Sequence, residues 1–252
     1  MIYKKSREEI AIMRRAGKVV ADALDRLEEA LSPGVTTAEL DRIAEGVISG
    51  AGGRASFKGY RGYPASICTS PNDVIVHGIP SADDRLDSGD IISLDVGVLL
   101  DGFHADSAWT FPVGEVDARV AELLKVTEQS LEAAIAECRP GKRLGDVGWA
   151  VEEVAEAAGF SIVREYVGHG VGRALHEDPQ IPNYGPAGRR ELLSPGMTLA
   201  IEPMVNLGGP ETRVLDDGWT VVTADGELSA HFEHTVAITE EGHEILTLRG
   251  PR

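Results

Sequence analysis

Covalent staples are almost absent from this sequence. Its 252 residues include two cysteines, Cys68 and Cys138, too few for a disulfide framework, so the thiols are expected to be reduced and the compartment cytoplasmic. No apolar run approaches the roughly 18–20 residues that a membrane helix requires. The first ten residues, MIYKKSREEI, carry basic side chains without an apolar core, which excludes a secretory signal. Positive charge is also scarce. Lys and Arg number 24 against 41 Asp and Glu, for a net charge of −17. Such a surface excludes nucleic acid and anionic membrane as the main partner. What remains is ordinary globular material, 42% hydrophobic, long enough for one large domain or two fused halves with ample core.

Two helix starts are written into the first forty residues. Ser6 and Glu9, then Thr36 and Glu39, have capping-box spacing. Behind the first, Ile10, Met13, Val20, Leu24, Leu27 and Leu31 recur at helical intervals until Ser32-Pro33-Gly34. Behind the second, Leu40, Ile43 and Val47 share a face that ends at the Gly50–Gly53 cluster. Short strand-like runs follow at 66–68 and 74–77. From about Asp117 the pattern starts again. Leu123, Leu124, Leu131 and Ile135 mark a helix broken at Arg139-Pro140-Gly141, and Val147, Val151 and Val154 mark another ending at Gly159. A strand-like run at 162–167 leads into the Gly-rich GHGVG, and an apolar run at 197–201 ends in Glu202.

The stretch from Ser88 to Thr110, SGDIISLDVGVLLDGFHADSAWT, carries the first chemical hint. Asp101-Gly102 between apolar runs predicts a hairpin. With those residues as the loop, Asp95 falls opposite Ala108, and Asp106 is its diagonal neighbour on the same face. Two inward carboxylates repel and are costly to desolvate, which a cation would offset. Taken alone, the hairpin fits a metal site and a sharp turn with solvated acids equally well.

An internal repeat tips that balance. Pro33-Gly34 and Pro140-Gly141, Gly52 and Gly159, and the runs ending in Asp95 and Glu202 are all separated by the same 107 residues. The expectation is a single domain over 1–252 built from two related α+β halves, approximately 1–115 and 116–248. Each half brings an acid to a shared cleft. Segregated helices and hairpins favour antiparallel sheet with helices on one side. His169, within VGHGVGRALHEDP, and Glu233, within SAHFEHT, complete a candidate set of four carboxylates and one imidazole. Oxygen-rich donors of this kind suit Mn, Fe(II) or Co better than structural zinc. Their charge is better balanced by two ions, bridged by Asp106 and Glu233, than by one. Paired ions are a hydrolytic device. The glycines of GHGVG lack the Lys-Ser/Thr of a phosphate loop and are expected to let backbone pass close to the metals.

The segments SICTSPNDVIVHGIP, DIISLDVGVLLDGFHADSAWTF, YVGHGVGRALHEDPQIPNYG, LSPGMTLAIEPM and DGWTVVTADGELSAHFEHTVAIT resemble the type I methionine aminopeptidases, metallopeptidases of the pita-bread fold. The likeness runs from roughly Ile2 to Leu248. It implies a metal-dependent aminopeptidase that removes N-terminal methionine from nascent proteins, preferring a small second residue, through a water held between two divalent ions (Co, Mn, Fe(II) or Zn). On that resemblance Asp95 is a ligand of one ion and His169 of the other, Asp106 and Glu233 are bridges, and Glu202 is both ligand and proton shuttle. His176 would bond the scissile carbonyl oxygen and His77 the scissile amide nitrogen. Tyr60, Tyr63, Cys68 and Trp219 would line the methionine side-chain pocket, an apolar, partly aromatic slot suited to a thioether. Phe57 and Leu175 depart from residues found in some members. Asn72, Val74 and Ser229 match a monovalent-cation site. His104, His231, His234 and His243 are assigned to structure; His231 and His234 flank Glu233 and are alternative supports for the ligands, but an alternating strand would turn them away from it.

Only 26 residues separate His176 from Glu202, leaving no room for the helical insert of the type II enzymes. With no Cys-rich segment ahead of residue 1, the short bacterial type is expected, acting as a monomer with the ribosome as a partner. The alternatives are an Xaa-Pro aminopeptidase of the same fold, whose relatives carry an extra N-terminal domain, and a non-catalytic binding protein on the same scaffold, whose relatives lose ligands.

Overall fold

A computed structural model describes residues 1–250. Both capping boxes form. Ser6 and Glu9 close helix α1 (Arg7–Ala30), and Thr36 and Glu39 close α2 (Thr37–Gly50). In each, side chains satisfy backbone N–H groups that a first helical turn leaves unpaired. The second pair of helices is α3 (Ala118–Glu137) and α4 (Leu144–Ala157).

The first helix pair covers a hairpin. Strands β1 (Cys68–Pro71) and β2 (Val74–Val76) lead to the long β3 (Ile91–Leu100) and β4 (Phe103–Pro112). β3 and β4 pair over their full length around Asp101-Gly102, placing Asp95 opposite Ala108 and Asp106 opposite Gly97. The other edge of β3 takes β1, with Cys68 opposite Asp95, and the short strand Arg54–Ala55. Leu24, Leu27, Leu40, Ile48, Ile92, Leu94 and Val96 form the core between helices and sheet.

In the second half α3 and α4 face a five-stranded sheet, with strands β5 (Gly168–Gly170), β6 (Glu177–Ile181), β7 (Thr198–Ile201), β8 (Met204–Asn206), β9 (Val221–Thr223), β10 (Ser229–His231), β11 (His234–Ile238) and β12 (His243–Ile245) following in the chain. The five-stranded sheet runs β12-β11-β7-β5-β6, all antiparallel. Leu123, Leu131, Leu144, Val151, Leu199, Ile201 and Val236 fill its core. Trp109 packs against both cores.

The run expected at 162–167 yields only the two-residue strand Ser161–Ile162, which pairs with β8. The strand expected at 66–68 begins at Cys68. Asp41 explains the shift, because its Oδ1 accepts the N–H groups of Ser66 and Ile67 at 2.8 and 3.0 Å and those donors are lost to a ladder.

Hydrogen bonds fasten β4 to residues 231–235. The Asp106 N–H donates to Thr235 Oγ1 at 2.9 Å, and that hydroxyl donates to the Asp106 carbonyl at 2.8 Å. Glu233 N–H donates to the Ala108 carbonyl at 2.8 Å. Thr110 Oγ1 donates to the His231 carbonyl and accepts the His231 N–H, each at 2.8 Å. This seam joins the two cores and aligns Asp106 with Glu233.

Candidate metal centre and peptide pocket

A cavity of about 190 Å³ opens where the two halves meet, and Asp95, Asp106, His169, Glu202 and Glu233 all line it. Each comes from a rigid element or its end. Asp95 and Asp106 sit on β3 and β4, His169 on β5, Glu202 one residue beyond β7, and Glu233 in the gap between β10 and β11. Ligand atoms of Asp106, His169 and Glu233 lie within 4.8 Å of one another. His169 Nε2 is 3.5 Å from Glu202 Oε1. His169 Nδ1 is 2.9 Å from the Gly170 carbonyl. A carbonyl only accepts, so Nδ1 carries the proton and Nε2 offers its lone pair to the cavity.

The electrostatics suit a counter-charge. Desolvation and the Asp106 charge push the carboxyls of Asp95, Glu202 and Glu233 well above the usual range. Desolvation lifts Asp106 to about 7 and lowers His169 to about 4. Asp95 Oδ1, Asp106 Oδ1 and Glu233 Oε1 are buried acceptors without a donor. Native proteins rarely strand such groups. Several orphaned carboxylate oxygens beside a neutral imidazole nitrogen are a fitting donor set for divalent cations with oxygen preference.

Beside the acids the wall turns apolar. Phe57, Tyr63, Cys68 and Leu175 form a buried cluster with Tyr60 and Trp219 packed on it. Tyr63 meets Trp219 edge-on, with centroids 5.1 Å apart. The Tyr63 hydroxyl lies 2.7 Å from the Gly78 carbonyl and 3.1 Å from that of Ile67, so it serves the wall and leaves the ring to the pocket. Phe57 and Leu175, departures at the sequence level, are part of the same wall.

His77 follows β2 with φ of +61°, a left-handed conformation uncommon outside glycine. Its ring stands edge-on to Tyr166 at 5.8 Å and to Trp219 at 6.3 Å. Desolvation lowers its pKa to about 4. His176 stands at the mouth, its ring 4.1 Å from that of His169 and stacked on Tyr60 at 5.2 Å. Desolvation of its inner side, then His169 and His77, hold it below its ordinary value. The loop before His176 is pinned by Glu177, which accepts the Ala174 N–H and pairs with Lys5, both side chains under one-tenth exposed.

One expectation changes. His231 lines the cavity, with Nε2 4.0 Å from Glu202 Oε2 and no hydrogen-bond partner. Strand alternation failed there because Phe232 and Glu233 interrupt β10 and β11. The GHGVG glycines admit neighbouring chain segments to close packing. A Cβ would lie 2.4 Å from the Ala200 carbonyl at Gly168, 2.2 Å from that of Asp178 at Gly170, and 2.3 Å from Lys5 Cε at Gly172. Arg61, Val76, Tyr166 and Val167 also line the cavity, with no signal in the sequence that marked them.

The other residues keep to structure. His104 Nδ1 lies 2.8 Å from Ser56 Oγ, His234 Nδ1 lies 2.9 Å from Thr247 Oγ1, and His243 is exposed on β12. Asn72 donates to Asp90 Oδ1 at 2.9 Å and accepts from the Ile91 N–H at 3.2 Å. Its carbonyl accepts the Ser229 N–H at 3.0 Å. Val74 begins β2.

Residues 11–240 match metallopeptidase family M24. The chain belongs to that family. Within M24 its relatives are methionine aminopeptidases. Methionine aminopeptidase 1 of Bacillus subtilis is 53% identical over 247 residues, spanning 98% of this chain and 99% of the relative. A solved methionine aminopeptidase from Thermotoga maritima has a TM-score of 0.97 at 48% identity, covering 98% of this chain and 99% of that one. The prolidase of Pyrococcus furiosus has a TM-score of 0.78 at 22% identity, covering 98% of this chain and 66% of that one, a likeness of fold alone. The M24 fold here is the pita bread, α+β with antiparallel sheets.

Proposed function

We propose that this M24 metallopeptidase removes N-terminal methionine from nascent chains whose second residue is small. The carrying observation is a floor of four carboxylates and one neutral imidazole directly beside an apolar, sulfur-compatible slot. Asp95, Asp106, His169, Glu202 and Glu233 would hold two divalent ions, Co, Mn, Fe(II) or Zn. Asp106 and Glu233 would be shared between the ions. Such ions supply Lewis acidity, lowering the pKa of water and polarising a carbonyl.

The chain's own groups perform the rest. Tyr60, Tyr63, Cys68 and Trp219 receive the methionine side chain. The substrate's free amino group faces the acids of the floor and the ions they would hold. Glu202 takes a proton from the attacking water and returns one to the leaving amine nitrogen, a general base turned general acid. His176, uncharged at neutral pH, keeps one N–H and donates it to the scissile carbonyl oxygen as negative charge grows there. His77 contacts the scissile amide nitrogen.

The same reading has a cytoplasmic monomer meeting nascent chains at the ribosome, without nucleic-acid or membrane function. Among the described residues no helix is long and apolar enough to cross a membrane. We also infer one domain of two related halves, 1–115 and 116–248, supported by a helix pair over antiparallel sheet in each. A monovalent cation at Asn72, Val74 and Ser229 rests on sequence likeness, and the hydrogen bonds of Asn72 give that turn a structural role without one.

The test is release of methionine from Met-Ala-Ser against cleavage of Xaa-Pro peptides, after chelation and reloading with Mn, Fe(II) or Co. Methionine release dependent on added metal is expected, with Xaa-Pro peptides untouched. Preference for Xaa-Pro peptides, or full turnover after exhaustive chelation, would overturn the proposal.

A further inference from the structure

Among the described residues Arg61 is the only Lys or Arg that lines the active-site cavity, and the roles above give it nothing to do. Among the described residues its guanidinium has no hydrogen bond and no ion pair. It stands over the Tyr60 ring, 5.4 Å from the guanidinium carbon to the centroid. Arg61 is exposed, so its charge is open to a ligand entering the cavity.

The turn that carries it is built for placement. Gly59 and Gly62 have φ of +85° and +92°, and Arg61 itself has +49°. A non-glycine residue in that region costs on the order of 1 kcal/mol or more and persists only where its surroundings fix it. Here Gly62 N–H donates to the Gly59 carbonyl at 3.2 Å and Tyr63 N–H to that of Tyr60 at 2.9 Å. From the floor outward the order is carboxylates, His176, Tyr60, Arg61, with His176 and Tyr60 stacked 5.2 Å apart.

The cavity thus runs from the candidate metal floor to a positive rim. A peptide entering amine first lays its amino group toward the floor. Its extended chain then rises about 3.3 Å per residue. The stack from His176 to Tyr60 (5.2 Å) and on to the Arg61 guanidinium (5.4 Å) matches two residues beyond the scissile bond together with an acidic side chain reaching on from the second. We propose that Arg61 is a carboxylate-binding subsite of the substrate channel, favouring an anionic group at about the third residue of the peptide. This rests on the aminopeptidase reading and adds a specificity to it. The carboxylate can come from an acidic side chain or from the C-terminus of a short peptide.

The experiment measures kcat/KM at low ionic strength for Met-Ala-Asp-amide, Met-Ala-Ser-amide, Met-Ala-Lys-amide and Met-Ala-Ser free acid. It uses the full chain loaded with one metal throughout, as wild type and as Arg61→Lys, Arg61→Gln and Arg61→Glu. The expected wild-type preference for the Asp amide over the Lys amide is about fivefold, typical of an exposed ion pair. Arg61→Lys keeps it, Arg61→Gln brings the ratio near one, and Arg61→Glu inverts it. Added salt near 0.5 M flattens the wild-type ratio. Preference for the Ser free acid over its amide, erased in Arg61→Gln, would support the subsite with the chain terminus as the anion.

Each ratio is taken within one preparation, so partial unfolding of a variant cannot imitate the result. Identical Asp-to-Lys and acid-to-amide ratios in wild type, Arg61→Gln and Arg61→Glu would overturn the subsite while leaving methionine release intact. Failure of wild type to release methionine from any peptide would sink the aminopeptidase reading, and the subsite with it.

Discussion

Asp106 is held where a carboxylate would not stay by choice. It is 4% exposed, with an unpartnered Oδ1 and three acids around it. Without metal, its charge is a burden on the fold, since desolvation opposes its own ionised form and its charge pushes up the carboxyls of Asp95, Glu202 and Glu233. Asp106→Asn is therefore expected to raise the melting temperature of the chelated protein, by an increment on the order of 1 kcal/mol, while abolishing metal-dependent methionine release. Thermal unfolding in the presence of chelator checks this, and a chelated variant less stable than wild type would refute it. The residues of this centre were legible in sequence because acids ending apolar strands are costly to bury without a purpose. His231 was not, because its direction depends on a two-residue break in the strand that no periodicity announces. Arg61 was equally silent, since an arginine between glycines reads as an ordinary solvated turn.

At the level of elements, local chemistry was the more readable part. Ser6 and Thr36 declared their helices through capping boxes, and Asp101-Gly102 declared a hairpin whose register put Asp95 and Asp106 together as expected. Elements that depend on distant partners were not readable. The Ile162 run is apolar enough for a strand, but its partner in β8 spans only Val205 and Asn206 there. The glycines of β5 show the same limit. Their role is to admit neighbouring carbonyls, a constraint set by β6 and β7 rather than by adjacent residues. Gly170→Ala would force a Cβ to 2.2 Å from the Asp178 carbonyl, so β5 and β6 must separate beside His169. We expect a loss of about 2–3 kcal/mol, in the range of overpacked cores, and a drop in kcat of at least tenfold. Denaturant unfolding and steady-state kinetics would measure both. Unchanged kinetics would mean that β5 has slack which the spacing denies.

For the whole molecule, the seam between β4 and residues 231–235 decides whether the two cores form one site. Thr235 is its centre, since one hydroxyl answers both the N–H and the carbonyl of Asp106. Thr235→Val keeps the shape and removes both bonds, leaving two backbone groups unpaired in a buried strand. A cost of about 2–4 kcal/mol follows from the usual penalty for such groups, together with weaker metal retention. Calorimetry and metal titration would test this, and a variant with wild-type stability would relocate the join elsewhere, for instance to Trp109.

Lys5 precedes the first helix, yet its ammonium is moored to the carboxylate next to His176, 172 positions along the chain. The opening residues are thus a strut for the far wall of the catalytic cleft. Trimming them would be felt as slackness in the histidine loop before any helix was lost.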